Sequence, residues 1–224
     1  MSKYRLNLRA IERSLREVQQ AFPEINAVLR SRRDSMTEEV FQNMMAGYAF
    51  IDQAVRDHTD LLDPKYVAGL LELNHIVLCG RDPEERREHR KHVQATAQRF
   101  YGQEEFNIDH LLRWCRDHRR DSSWRRAAGI YVRILSQPQL YFEGNHRTGA
   151  LIMSYVLARD GKAPFVLTVQ NARAYFDPST LIKETQKTPT TLLMKLPRMK
   201  KRFAHFLEAH ANPQYLEASI PHKH

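Results

Sequence analysis

The residues best suited to chemistry lie in one run, Leu140-Tyr141-Phe142-Glu143-Gly144-Asn145-His146-Arg147-Thr148. It places an acid, a glycine, an asparagine and an arginine at the mouth of an apolar stretch from Ala150 to Ala158, which reads as a buried helix. The first turn of a helix leaves backbone N–H groups unpaired, and the helix dipole is positive there, so such a mouth attracts phosphate. An arginine in that turn adds a two-pronged phosphate donor. An acid just before it is placed to hold the magnesium that travels with a nucleotide.

Helices must position this run, and the apolar spacing predicts them. Leu8, Ile11, Leu15, Val18 and Phe22 recur at helical period over 7–22, and a second helix starts near Glu24. Val40, Phe41, Met44, Met45, Tyr48, Ile51 and Val55 share a broad face. Val67 to Val77 make an apolar helix that stops at Gly80. Ile108, Leu111, Leu112 and Cys115 form another, and Trp124 to Leu135 the next, where Ala127-Ala128 permits close packing. Between them Val93, Ala95 and Ala97 alternate with polar residues, a period of two that predicts a hairpin or extended flap within 81–101. Pro164 to Val169 has strand character, and Asn171, Asp177-Pro178 and Thr188-Pro189 read as helix starts. A last helix carries Met199, Phe203, Phe206 and Leu207. The expected organisation is an N-terminal helical extension over 1–58, a core over 59–212 and a flexible tail over 213–224.

Composition narrows the class. A chain of 224 residues with 42% hydrophobic and 27% charged residues can bury one good core. Eight glycines argue against a turn-rich all-β fold. No apolar run is long enough to span a bilayer and no apolar leader follows Met1-Ser2-Lys3-Tyr4-Arg5, so a cytoplasmic protein without a membrane partner is expected. Cys79 and Cys115 read as separate thiols in a reducing compartment. The histidines show no metal-ligand spacing. A net charge of +9 calls for an anionic partner. Arg113, Arg116, Arg119, Arg120, Arg125 and Arg126, interleaved with Trp114 and Trp124, offer one competing reading, a nucleic-acid-binding face. Asp117 and Asp121 among them favour an ordinary solvated helix face.

The run at 139–150 resembles the signature of the Fic/Doc proteins, His-x-Phe-x-(Asp/Glu)-Gly-Asn-Gly-Arg-x-x-Arg. Glu143 falls in the acidic slot, Tyr141 in the aromatic slot, and Gly144, Asn145 and Arg147 match directly. Leu73-Asn74-His75, the alternating segment, Trp114 and the Ala127-Ala128 helix follow in the family's order, so the resemblance covers most of 60–160. It implies a mostly α, Fic-like helical domain with a small β-hairpin flap. It also implies Mg²⁺ and an ATP-like nucleotide as cofactors, and AMP-like transfer to a hydroxyl of a target protein. By that mapping Gly144, Asn145, the backbone of His146, and Arg147 form the anion hole, Glu143 holds the metal, and Thr148 adds a hydroxyl to a phosphate oxygen.

Three positions depart from the signature. Gln139 occupies the slot of the catalytic His, and an amide does not titrate, so base catalysis worth a factor of roughly a hundred to ten thousand is lost. His146 replaces the second Gly and is the candidate substitute base. Ala150 replaces the second Arg, which implies a shorter ligand or another pose. The family's inhibitory Ser/Thr-x-x-x-Glu pattern has its nearest match at Ser35 to Glu39, but without an arginine at 150 its Glu lacks a partner, and Ser35 reads as a helix cap. Two functions follow. One is a divergent transferase of a phosphate-linked group. The other is a catalytically inactive relative that binds a ligand or a protein.

Overall fold

The computed structural model describes residues 3–102 and 106–218. A short strand β1 (Tyr4–Leu6) leads into α1 (Leu8–Gln20) and α2 (Phe22–Ala27), the latter started by Pro23. The helices α3 (Glu38–Arg56) and α4 (Ala68–Cys79) follow. Next come α5 (Pro83–Glu88), α6 (Arg90–Tyr101), α7 (Ile108–Asp117) and α8 (Ser123–Leu135). The chain ends with α9 (Asn145–Arg159), α10 (Ala172–Lys183), α11 (Leu196–Ala209) and β2 (Leu216–Ala218). Among the described residues no helix is long and apolar enough to cross a membrane.

The helix α9 is the centre. Every residue from Thr148 to Ala158 is buried, because its sequence is apolar all round and must be covered on all sides. It packs on α8, α3 and α4, and α11 covers the far side of α8. The α3–α9 crossing is close because Gly47 has no side chain: a Cβ there would lie 2.4 Å from Leu151 Cδ1. One core cluster runs from Leu6 and Ile11 through Tyr155 to Tyr215, so α1 and α3 share it with the later helices.

The mostly α expectation holds, and the fold includes one small antiparallel strand pair. That pair lies elsewhere than expected. It joins the two ends of the described chain, with Arg5 opposite Glu217. The segment expected as a hairpin is helical in α5 and α6. Thr96 and Phe100, four residues apart, are its fully buried positions, and the alternation of Val93, Ala95 and Ala97 does not set the buried face.

Four further expectations are corrected. Pro164 to Val169 forms no strand and pairs with none among the described residues. Tyr48 and Ser154 hydroxyls both donate to the Phe165 carbonyl at 2.7 Å, and the Asn171 amide donates to Val166 O, so side chains take the place of a ladder. Pro178 lies inside α10 and does not begin a helix. Thr37, not Ser35, caps α3, its hydroxyl accepting from Val40 N–H at 3.2 Å. Residues 213–218, expected in a flexible tail, form a turn and β2, with Tyr215 buried and bonded to Ser14. The rest of that expected tail, 219–224, lies outside the described residues.

Candidate functional site

Gly144 sits at the head of α9 with φ of 73°, a left-handed conformation that a side chain would strain. The first bond of the helix runs from Thr148 N–H to Gly144 O at 2.9 Å. The N–H groups of Asn145, His146 and Arg147 find no backbone acceptor among the described residues. They form the expected set of free donors at a helix mouth.

Behind the loop, polar side chains hold it in place. Asn74 on α4 is fully buried and donates to Glu143 O at 3.0 Å and to Thr148 Oγ1 at 2.9 Å. Asn145 turns back on the loop, accepting from Tyr141 N–H and donating to Tyr141 O, both at 2.9 Å. Tyr141 is buried, stacks on Phe100 and donates to Leu70 O. Gln139 donates its amide to Leu135 O at 3.0 Å and accepts weakly from Asn145. Lys187 donates to the carbonyls of Ser136 and Pro138, and Arg99 to that of Gln139, which fixes the approach to the loop.

Two sequence expectations change here. Thr148 was expected to face a phosphate, but it is fully buried and serves as Asn74's acceptor, away from the cavity. Asn145 reaches the cavity wall, yet its amide is committed to Tyr141, so its backbone N–H is what it offers to a ligand.

In front of the loop lies a cavity of about 480 Å³. Glu143 and Arg147 line it, as do Gln139, His146 and Ala150. So do two cations that sequence reasoning missed, Arg33 and Lys183. Arg147 touches Val77 O at 3.2 Å. Burial lowers its pKa, and the carboxylates of Asp34, Glu39 and Glu143 oppose that shift. Glu143 itself is exposed.

Arg33 comes from the connection between α2 and α3. Asn26 grips its backbone on both sides, donating to Arg33 O at 2.8 Å and accepting from Arg33 N–H at 2.7 Å. Its guanidinium donates to Thr180 Oγ1 at 2.6 Å, to Phe176 O at 3.3 Å and to His146 Nε2 at 3.2 Å. Its Nε is buried and has no partner among the described residues. The one sequence signal for it was the gap at Ala150: an anion hole short of one arginine needs a cation from elsewhere.

His146 is held at both nitrogens. A guanidinium can only donate, so Nε2 accepts, and the proton is assigned to Nδ1, 3.2 Å from the Tyr131 hydroxyl. Tyr131 passes a hydrogen bond on to Tyr175 or Ser179, and Tyr175 donates to His146 O. Burial first, then the charges of Arg33 and Lys183, push the His146 pKa down to about 3. The expected substitute base is thus a neutral imidazole whose free lone pair already faces a cation. Neither ring nitrogen is open to take a proton from a substrate.

Among the described residues no group of three or more His, Cys, Asp or Glu side chains could hold a metal ion. Asp34 and Glu143 are the carboxylates in the cavity wall, so a magnesium there would depend on phosphate oxygens and water for most of its ligands, which suits that ion. Of the two tryptophans in the competing basic face, Trp124 is half-buried and Trp114 is enclosed. Trp114 is buried, with His118 stacked on it at 4.2 Å and Arg133 and Lys200 beside the ring, while Asp121 pairs with Lys200 at 2.9 Å.

No protein-family model matches the chain, and no curated protein matches it. Its structure is similar to the crystal structure of a Fic domain containing signaling protein from Bacteroides thetaiotaomicron, with a TM-score of 0.53 and 16% sequence identity. The match covers 90% of this chain and 91% of that one. At that identity the likeness speaks for the fold alone, and it agrees with the motif, the central helix and the order of the helices around it: the protein has a Fic-like fold.

Proposed function

We propose that the protein binds a small phosphate-bearing ligand at the mouth of α9 and lacks the histidine base that the Fic signature carries. One observation carries this reading. The cavity wall holds three cations and the free N–H groups of α9, while Gln139 in the family's His slot and His146, its candidate substitute, cannot take a proton. The amide of Gln139 does not titrate, and the lone pair of His146 takes an N–H from Arg33. Arg33 and Lys183 supply positive charge where the Fic signature has an arginine and this chain has Ala150. Arginine and a helix mouth together favour phosphate over other anions, because both present several N–H donors to one tetrahedral group.

A nucleotide such as ADP with Mg²⁺ is the ligand that the Fic-like fold suggests. Glu143 would hold the ion, which when bound neutralises phosphate charge. Titration calorimetry with ADP and with inorganic diphosphate, each with and without Mg²⁺, is expected to show saturable binding of at least one. Mass spectrometry after incubation with ATP, Mg²⁺ and lysate is expected to show no nucleotidyl or phosphoryl adduct. Absence of binding by either anion would overturn the site. An adduct that disappears with Arg147→Ala would overturn the inactive reading and establish a divergent transferase.

A further inference from the structure

The cavity has two chemically distinct ends. One holds Arg33, Arg147, Lys183 and the mouth of α9; most of the remaining wall is apolar, including Phe22, Met36, Met44, Phe165, Leu167 and Phe176. Aromatic rings of the wall lie beside the cationic residues. The Arg33 guanidinium lies 5.3 Å from the Phe176 ring centroid, and Phe22 meets Phe176 edge-on at 6.4 Å. On the other side Tyr175, which donates to His146 O, packs on Phe165 at 4.8 Å.

The polar groups in this wall are already engaged. Tyr48 donates to Phe165 O at 2.7 Å, and the amides of Gln139 and Asn145 are bonded within the loop. Away from the cationic end, the polar side chains of the wall not so engaged among the described residues are Asp34 and Ser35. A nucleobase and ribose carry many donors and acceptors, and burying them unpaired opposes binding. An alkyl or alkenyl group has no such demand. Met36 and Met44 are flexible and polarisable, so they can close around a chain of irregular shape.

We propose that the ligand of this site is an amphiphilic phosphate, a phosphate or diphosphate ester of a short, flexible, apolar group, in preference to a nucleotide. This rests on the anion-binding reading above and narrows it. The phosphate end sits at α9 between Arg33 and Arg147, and the apolar group lies along Phe176 and Phe22 toward the two methionines.

The test is calorimetry on the full chain with three probes: isopentenyl diphosphate, inorganic diphosphate and ADP. Each buried methylene favours binding by roughly fourfold. The isopentenyl ester is therefore expected to bind at least about fifteenfold tighter than inorganic diphosphate, the worth of two buried methylenes, and tighter than ADP. If the ester and inorganic diphosphate bind alike, the apolar end does nothing and the inference falls while the anion site stands. If ADP binds tightest, the inference falls in favour of a nucleotide. If none of the three binds, the anion-binding reading has failed and the inference with it.

Discussion

The back and the front of the loop at 139–148 are built differently. Behind it, Asn74, Tyr141, Asn145 and Thr148 are buried and bonded to one another or to backbone. In front, Glu143, Arg147 and Arg33 keep charge at the wall of a cavity. The contrast separates two jobs within one motif. Some of its residues shape the loop so that three N–H groups point at one place. Others bring the charge that makes the place useful. A back-face change should therefore cost stability, and a front-face change should cost binding with the fold intact.

The largest effect is expected from Asn74→Leu. It removes the donor to both Glu143 O and Thr148 Oγ1, and two buried acceptors left unpaired cost about 2–4 kcal/mol in total. Urea denaturation measures this; a loss under about 1 kcal/mol would mean the back face is not the scaffold described here. Gly144→Ala should follow at about 2 kcal/mol. Its Cβ would lie 2.9 Å from Asn74 Nδ2 at a φ that disfavours any side chain.

His146 sharpens the comparison through pH. Its folded pKa is about 3 against an ordinary 6.5. Between these values the unfolded chain binds a proton that the native state refuses. Its contribution to stability is thus complete above pH 6.5 and is lost progressively as the pH falls toward 3. The slope is up to about 1.4 kcal/mol per pH unit for this one proton. His146→Gln should flatten the pH–stability curve over that window relative to wild type; superimposable curves would contradict the buried, neutral imidazole. A smaller change is expected from Arg33→Met. Arg33 is one cause of the depressed pKa, so the variant should raise the His146 titration midpoint seen by NMR, and it should weaken diphosphate binding by roughly tenfold.

Much of the scaffold was legible in the sequence, because periodicity reports burial. The all-round apolar run after Thr148 predicted a buried helix, and α9 is one. The Gly144-Asn145 pair marked its start, since a left-handed cap calls for glycine. The flap was misread because three small residues alternate by chance on α6, where the helical pair Thr96 and Phe100 sets the buried face. The strand at 164–169 was misread because β character needs a partner edge, and here hydroxyls and an amide bond the carbonyls of Phe165 and Val166. Arg33 was invisible for another reason. It lies 113 residues from His146 in a basic connection where Arg30 and Arg32 look the same, and only Asn26's grip on its backbone singles it out.

The division of the loop is tested most directly on one variant, Arg147→Ala, by measuring its melting temperature and its affinity for inorganic diphosphate in parallel with wild type. Among the described residues Arg147 donates one hydrogen bond, to Val77 O, and it lies on the front. The expected melting temperature lies within about 2 °C of wild type, with the affinity lowered by roughly tenfold or more. A large drop in melting temperature with unchanged affinity would place Arg147 with the scaffold and contradict the anion site.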